Sequence, residues 1–272
     1  NIGAIDFPGV TINGIGATVS LSDNIGDVSI SNMPCRASYF DMNDTGVTVF
    51  NPTKTEGNIR ALRVRGSTAL TTFDLSNMGG AIIYNWEVQN AVLDTFNTDG
   101  RNFGGEATNS CTLSNNTFNA ASTITPSGSY YNLYMQYNNI DPTATVDLSS
   151  TVMGRSNGRF YYRYNNVVDV DLSALTHTVN VSTVDVSNNS FMTSLVPVPF
   201  TGNGTQYSYN NALTTIDFNN TNIPDCSYNG SFTVESNNAC TDMTFNGLVF
   251  GPTQYNSNFY ATYNPVLENL TI

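Results

Sequence analysis

The sequence predicts an all-β protein, a β-solenoid of about eleven coils averaging 24 residues, with two short strands per coil and little helix. Three observations carry this expectation. A short alternating segment ending in Asn-Asn recurs as CTLSNNTF (111–118), YMQYNNI (134–140), YYRYNNV (161–167), VDVSNNSF (184–191), YSYNNAL (207–213) and FTVESNNAC (232–240). A second segment, apolar-Asp-apolar-Ser, follows within the same repeat, as in LTTFDLSNM (70–78), VVDVDLSAL (167–175) and LTTIDFNNT (213–221). Finally, Glu, Lys, Gln and Arg together number only 18, which leaves little material for long helices.

Both segments alternate with period two, the signature of half-buried strands. Placing the Asn of the first segment along the chain gives Asn24, Asn43, Asn116, Asn138, Asn165, Asn189, Asn210, Asn237 and Asn264, with Ser67 and Gln89 standing in for it in two coils. The intervals run from 19 to 27 residues and average 24. No break in composition separates the coils, so residues 1–272 read as one repeat domain. Where a strand turns a corner, its backbone N–H and C=O groups lose their ladder partners. An inward Asn supplies both a donor and an acceptor there. The Asn residues are therefore expected to be a structural ladder and not catalytic amides.

These residues resemble the bacterial short-type leucine-rich repeats, which alternate an N-N-x-L half with an L-x-x-L-D-L-S half. The resemblance covers nearly the whole chain and is best over 62–272, with Leu often replaced by Tyr, Phe, Val or Thr. It implies a solenoid with one strand in each half repeat. A right-handed parallel β-helix, which also uses coils of this length and Asn ladders, is the rival architecture.

The outward columns of the first strand hold the candidate site. Two residues before the ladder position lie Asp41, Arg65, Glu87, Gln136 and Arg163, and the alternating signs of the first three predict an ion-pair ladder. Four residues before it lie Tyr39, Arg63, Tyr134, Tyr161 and Asp185. Tyr134 and Tyr161 fall on adjacent coils beside Gln136 and Arg163, and aromatic faces next to amide and guanidinium donors suit a glycan or a peptide. These four residues are the expected ligand-binding patch. No catalytic residue, cofactor or metal site is expected. The single His177 and the scattered Cys35, Cys111, Cys226 and Cys240 form no nucleophile or zinc motif, and the thiols are expected to be buried and free. Asp6, Asp74, Asp147, Asp171 and Asp217 share a place in the second strand and are expected to lie exposed. Thr95, Asn97, Asp99, Gly100 and Glu106 only approximate a calcium loop and read as a turn between coils.

Composition narrows the function. Only 11% of residues are charged, the net charge is −12 and there is one Lys. Nucleic-acid binding is excluded on that ground, and no apolar run is long enough for a membrane-spanning helix. Asn, Thr and Ser number 39, 34 and 25 and supply the polar surface instead. The chain starts and stops inside repeats, so its ends are expected to continue into a longer chain or to be covered by other subunits, in an end-to-end polymer or homo-oligomer. The expectation is a non-enzymatic structural or adhesive solenoid, extracellular or on a virion or cell surface, such as a fibre or filament subunit. The alternatives are a glycan- or peptide-binding module and, further off, a polysaccharide-degrading β-helix.

Overall fold

A computed structural model describes residues 5–6, 18–22, 28–35, 39–43, 46–54, 58–78, 82–99, 101–103, 110–154, 158–167, 169–177, 181–197, 202–218, 222–223, 231–244, 249–250 and 258–271. The fold is an all-β parallel β-solenoid. The only helical element among the described residues is a 3₁₀ turn, Ser76–Met78. The chain divides into two compact units, Asn1–Tyr131 with Asn138–Asp147 (unit 1) and Asn132–Tyr137 with Leu148–Ile272 (unit 2).

In unit 1 the first strands lie in the order Thr18–Ser22, Tyr39–Asn43, Ala61–Arg65, Trp86–Gln89, Ser110–Ser114. The second strands stack in the order Val28–Cys35, Val47–Lys54, Thr72–Asp74, Val92–Asn97, Thr117–Thr125. In unit 2 the first strands run Asn132–Gln136, Arg159–Arg163, Val181–Ser187, Gly202–Ser208, Ser231–Glu235, Asn258–Thr262. Its second strands are Asp169–Asp171, Ser194–Val196, Thr215–Asp217, Asp242–Thr244 and Asn269–Thr271. Among the described residues the first strands, five in unit 1 and six in unit 2, recur every 24 residues or so, one for each of the eleven coils expected.

Like residues stack on like within each unit. In unit 1, Phe50, Phe73 and Phe96 occupy one register and stack at 5.3 Å between ring centres, 11° from parallel. Trp86 closes on Phe96 at 5.1 Å. In unit 2, Tyr207, Phe218 and Phe232 form a cluster with ring centres 5.4–5.8 Å apart. Leu70, Leu75, Leu148, Leu172, Leu175 and Leu213 are all buried. Aromatic pairing adds to area burial at each step. Cys111 and Cys240 are free, buried thiols, as expected; Cys226 lies outside the described residues, as does the side chain of Cys35.

The Asn ladder forms, and its geometry explains the residue choice. Asn210 Nδ2 donates to Val186 O and to Asn237 Oδ1, while Asn210 Oδ1 accepts from the backbone N and Nδ2 of Asn189. The same pattern joins Asn116 to Asn138 in unit 1, with Asn116 Oδ1 accepting from Ala91 N. In unit 2 it joins Asn165 to Asn189 and Asn237 to Asn264. Every one of these amides bonds backbone that the corner would otherwise leave unpaired.

Each ladder position is preceded by a residue in the left-handed conformation: Gly66, Asn90 and Asn115 in unit 1, and Tyr137, Tyr164, Asn188, Tyr209, Ser236 and Tyr263 in unit 2, with φ between 53° and 68°. The N–H of this residue donates to the carbonyl one coil on, as in Gly66 to Gln89 and Tyr164 to Ser187.

The register corrects two assignments. Asn43 pairs with Arg65, Arg65 with Gln89, and Gln89 with Ser114. Asn43 and Gln89 therefore sit two residues before the ladder, beside Ser114 and not beside Asn116. Asn43 points its amide at Asp41 Oδ1, 2.9 Å away, and takes no part in the ladder. In the Gln89 coil the ladder position is Ala91, and Ser67 fills it in the coil before, donating its hydroxyl to Val47 O. A slip of two residues preserves the inward–outward alternation, so period alone did not reveal it. Asn24 lies outside the described residues.

Candidate functional site

The expected patch lies in unit 2 and is assembled by strand register. Tyr134 stands opposite Tyr161 and Gln136 opposite Arg163. The two rings stack with centres 4.9 Å apart and planes 25° from parallel. The Arg163 guanidinium lies 3.8 Å from the Tyr161 ring centre and pairs with Asp185 on the next coil. Asp185 also accepts from the Ser187 hydroxyl at 2.5 Å. Burial raises the Tyr134 phenol above its usual pKa, against the charge and hydrogen bond of Arg159. The four expected residues are thus contiguous, but Tyr161 is engaged by both Tyr134 and Arg163. A ligand here meets ring edges, hydroxyls and the Gln136 amide more than open ring faces.

More exposed rings occur one column over, and sequence reasoning missed them. Tyr137 and Tyr164 stack with centres 4.5 Å apart and planes 5° from parallel, and they are 52% and 44% exposed. Tyr209 and Tyr263, at the same corner position, are 45% and 81% exposed. The available signal was the Tyr that immediately precedes the ladder Asn in Y-N-N at 137–139, 164–166 and 209–211 and in Y-N-P at 263–265.

The expected ion-pair ladder in unit 1 is rearranged by the corrected register. Arg63, not Arg65, stands between Asp41 and Glu87. Arg65 instead reaches Glu87 diagonally, its Nε donating at 2.9 Å with Nη2 on the same oxygen. A shallow pocket of about 230 Å³ beside Arg63 is lined by Leu62, Asn85, Trp86, Glu87, Ser110 and Thr112.

The aspartates of the second strand have a local task. Asp74 Oδ1 accepts from Ser76 N and Asp74 Oδ2 from the Ser76 hydroxyl; Asp171 Oδ1 accepts from the backbone N and hydroxyl of Ser173. The Asp-x-Ser signature is therefore an Asx turn that ends the strand. Asp147 belongs to unit 1 and Asp171 to unit 2. In the approximate calcium loop, Thr95 and Asn97 lie within the strand Val92–Asn97, and Asn97 Oδ1 accepts from Asp99 N. Gly100 and Glu106 lie outside the described residues, as does the side chain of His177. Among the described residues no group of three or more His, Cys, Asp or Glu is placed to hold a metal ion, and no helix is long and apolar enough to cross a membrane.

No protein-family model matches the chain, and neither a curated protein nor a solved structure is significantly similar to it.

Proposed function

We propose that this protein is a non-enzymatic adhesive β-solenoid, displayed outside the cell or on a virion surface, whose tyrosine-bearing face in unit 2 binds glycan. The observation that carries the reading is the pair of tyrosine stacks on two adjacent coils, Tyr134 on Tyr161 and Tyr137 on Tyr164, with a guanidinium over Tyr161. Exposed aromatic rings are costly to leave in water and serve as platforms for the apolar faces of sugars. The adjacent Gln136 supplies an amide for ring hydroxyls. The buried leucines within and beside the Asp-x-Ser turns, such as Leu75 with Leu70 and Leu172 with Leu175, support reading the coils as short leucine-rich repeats. Low charge and parallel stacking suit a long polar scaffold that assembles with further subunits, as a fibre would.

A glycan array probed with the whole chain tests the reading. Tyr161→Ala is expected to weaken capture, because it removes both the ring over Tyr134 and the support under Arg163. Equal capture by the variant removes this face from the proposal, and capture of no glycan by the native chain removes the function.

A further inference from the structure

The corner residues of the two units differ in a way that folding alone does not require. All occupy the left-handed region, which Gly and Asn enter at little cost and other residues enter against steric resistance. Unit 1 uses the inexpensive residues Gly66, Asn90 and Asn115. Unit 2 holds Tyr at four of its six corners, in the order Tyr137, Tyr164, Asn188, Tyr209, Ser236, Tyr263. An aromatic side chain here is unfavourable to the backbone and leaves its ring partly in water, a cost that Tyr137 and Tyr164 offset in part by stacking on each other. Residues held against such strain cluster at ligand clamps.

The order also sets a distance. Successive coils are joined by backbone bonds at this corner, Tyr164 N to Ser187 O, Asn188 N to Ser208 O, Tyr209 N to Glu235 O and Ser236 N to Thr262 O. Tyr164, Tyr209 and Tyr263 are therefore separated by two strand spacings each, about 9.6 Å. That is close to the length of a disaccharide in an extended β-1,4-linked glycan. Between the rings, Asn188 and Ser236 offer an amide and a hydroxyl. None of the six residues is charged, the nearby Arg163 is neutralised by Asp185, and Glu235 flanks the column on the next strand. An anionic chain would be repelled there and by the net charge of −12.

We infer that this corner column is a binding track for an extended, uncharged β-1,4-linked polysaccharide, one ring for every second sugar at Tyr164, Tyr209 and Tyr263, with Tyr137 backing Tyr164 at one end. The inference rests on the glycan-binding reading above and adds the ligand class and a second row of residues. Asn is the informative substitution, because it accepts the backbone conformation and removes the ring.

The test is depletion of the whole chain from solution by cellulose and by chitin, with amylose, an α-1,4-linked glucan, as the control polymer. Tyr209→Asn and Tyr263→Asn are expected to melt no lower than the native chain. Each is expected to lose at least about fivefold in affinity for the β-1,4 polymers. Native affinity in both variants overturns the track, as does equal binding of the native chain to amylose. If binding falls with Tyr161→Ala but not with the Asn variants, the track fails and the sheet patch stands. If the native chain binds no glycan in the depletion or on the array, both fail.

Discussion

The guanidinium carbon of Arg163 sits 3.8 Å from the centre of the Tyr161 ring while the same group pairs with Asp185 on the following coil. One side chain thus supports a tyrosine and neutralises a carboxylate whose side chain is only 8% exposed. Arg163→Met keeps an apolar stem near the ring but leaves Asp185 with the Ser187 hydroxyl alone. Stability is expected to fall by about 2 kcal/mol, less than for a fully buried pair because Arg163 keeps contact with water. Adding Asp185→Asn should recover most of the loss. Guanidinium denaturation of the two single variants and the double variant closes the cycle.

The ladder correction predicts unequal asparagines. Asn210→Ala strands Val186 O and Asn189 N inside the corner and is expected to cost about 3 kcal/mol. Asn43→Ala loses one bond to Asp41 at a partly exposed site and should cost under about 1 kcal/mol. If the two losses prove equal in urea denaturation, Asn43 belongs to the ladder after all.

The left-handed corners predict a steric preference. Gly66, at φ 68°, is expected to tolerate Asn well, whereas Gly66→Val should cost about 2 kcal/mol because a β-branched side chain meets the flanking backbone there. Thermal melting of the two variants reads the difference directly.

Burial makes alkaline pH the weak side. Burial lifts the Cys240 thiol from 9.0 to about 11, lifts Cys111 further, and lifts the phenols of Tyr130 and Tyr162 above their usual range. All four are neutral in the folded state at pH values where the unfolded chain already ionises them. Their contribution is therefore complete below pH 9 and declines above it, first through the thiols and then through the phenols. The denaturation midpoint should fall from pH 9 upward, and Cys111→Ala with Cys240→Ala should delay the onset to about pH 10, where free tyrosine ionises.

Much of this arrangement was legible in the sequence because a solenoid repeats its physics. Alternation, the Asn-Asn endings and the Asp-x-Ser segments each recur, so the strands and most of the ladder could be placed without coordinates, whereas the Asx turn that closes the second strand could not. The stacking of Tyr134 on Tyr161 followed from counting back four residues from Asn138 and Asn165. The two ladder errors had one cause. Asn43 and Gln89 resemble the ladder residue and keep the correct parity, so a two-residue slip was invisible to period. Backbone conformation resolves it, since the left-handed residues Gly66, Asn90 and Asn115 mark the corner unambiguously. The same unread signal hid Tyr137, Tyr164, Tyr209 and Tyr263, which were read as strand residues and not as corners. The pairing of Arg65 with Glu87 across a diagonal also depends on side-chain reach, which columns on paper do not contain.

The amide-to-amide bonds of the ladder share a sense. In Asn116–Asn138, Asn189–Asn210 and Asn210–Asn237, the earlier residue donates and the later one accepts, and the left-handed backbone N–H groups also point to the later coil. The second Nδ2 hydrogen of each of these asparagines runs the other way, back to a carbonyl of the preceding coil, as Asn116 to Val88 O, Asn189 to Tyr162 O and Asn210 to Val186 O. Each ladder asparagine therefore clasps the coil before it and the coil after it with one amide group. Losing one of them loosens two junctions of the stack at once, so damage at a single corner is shared by three successive coils.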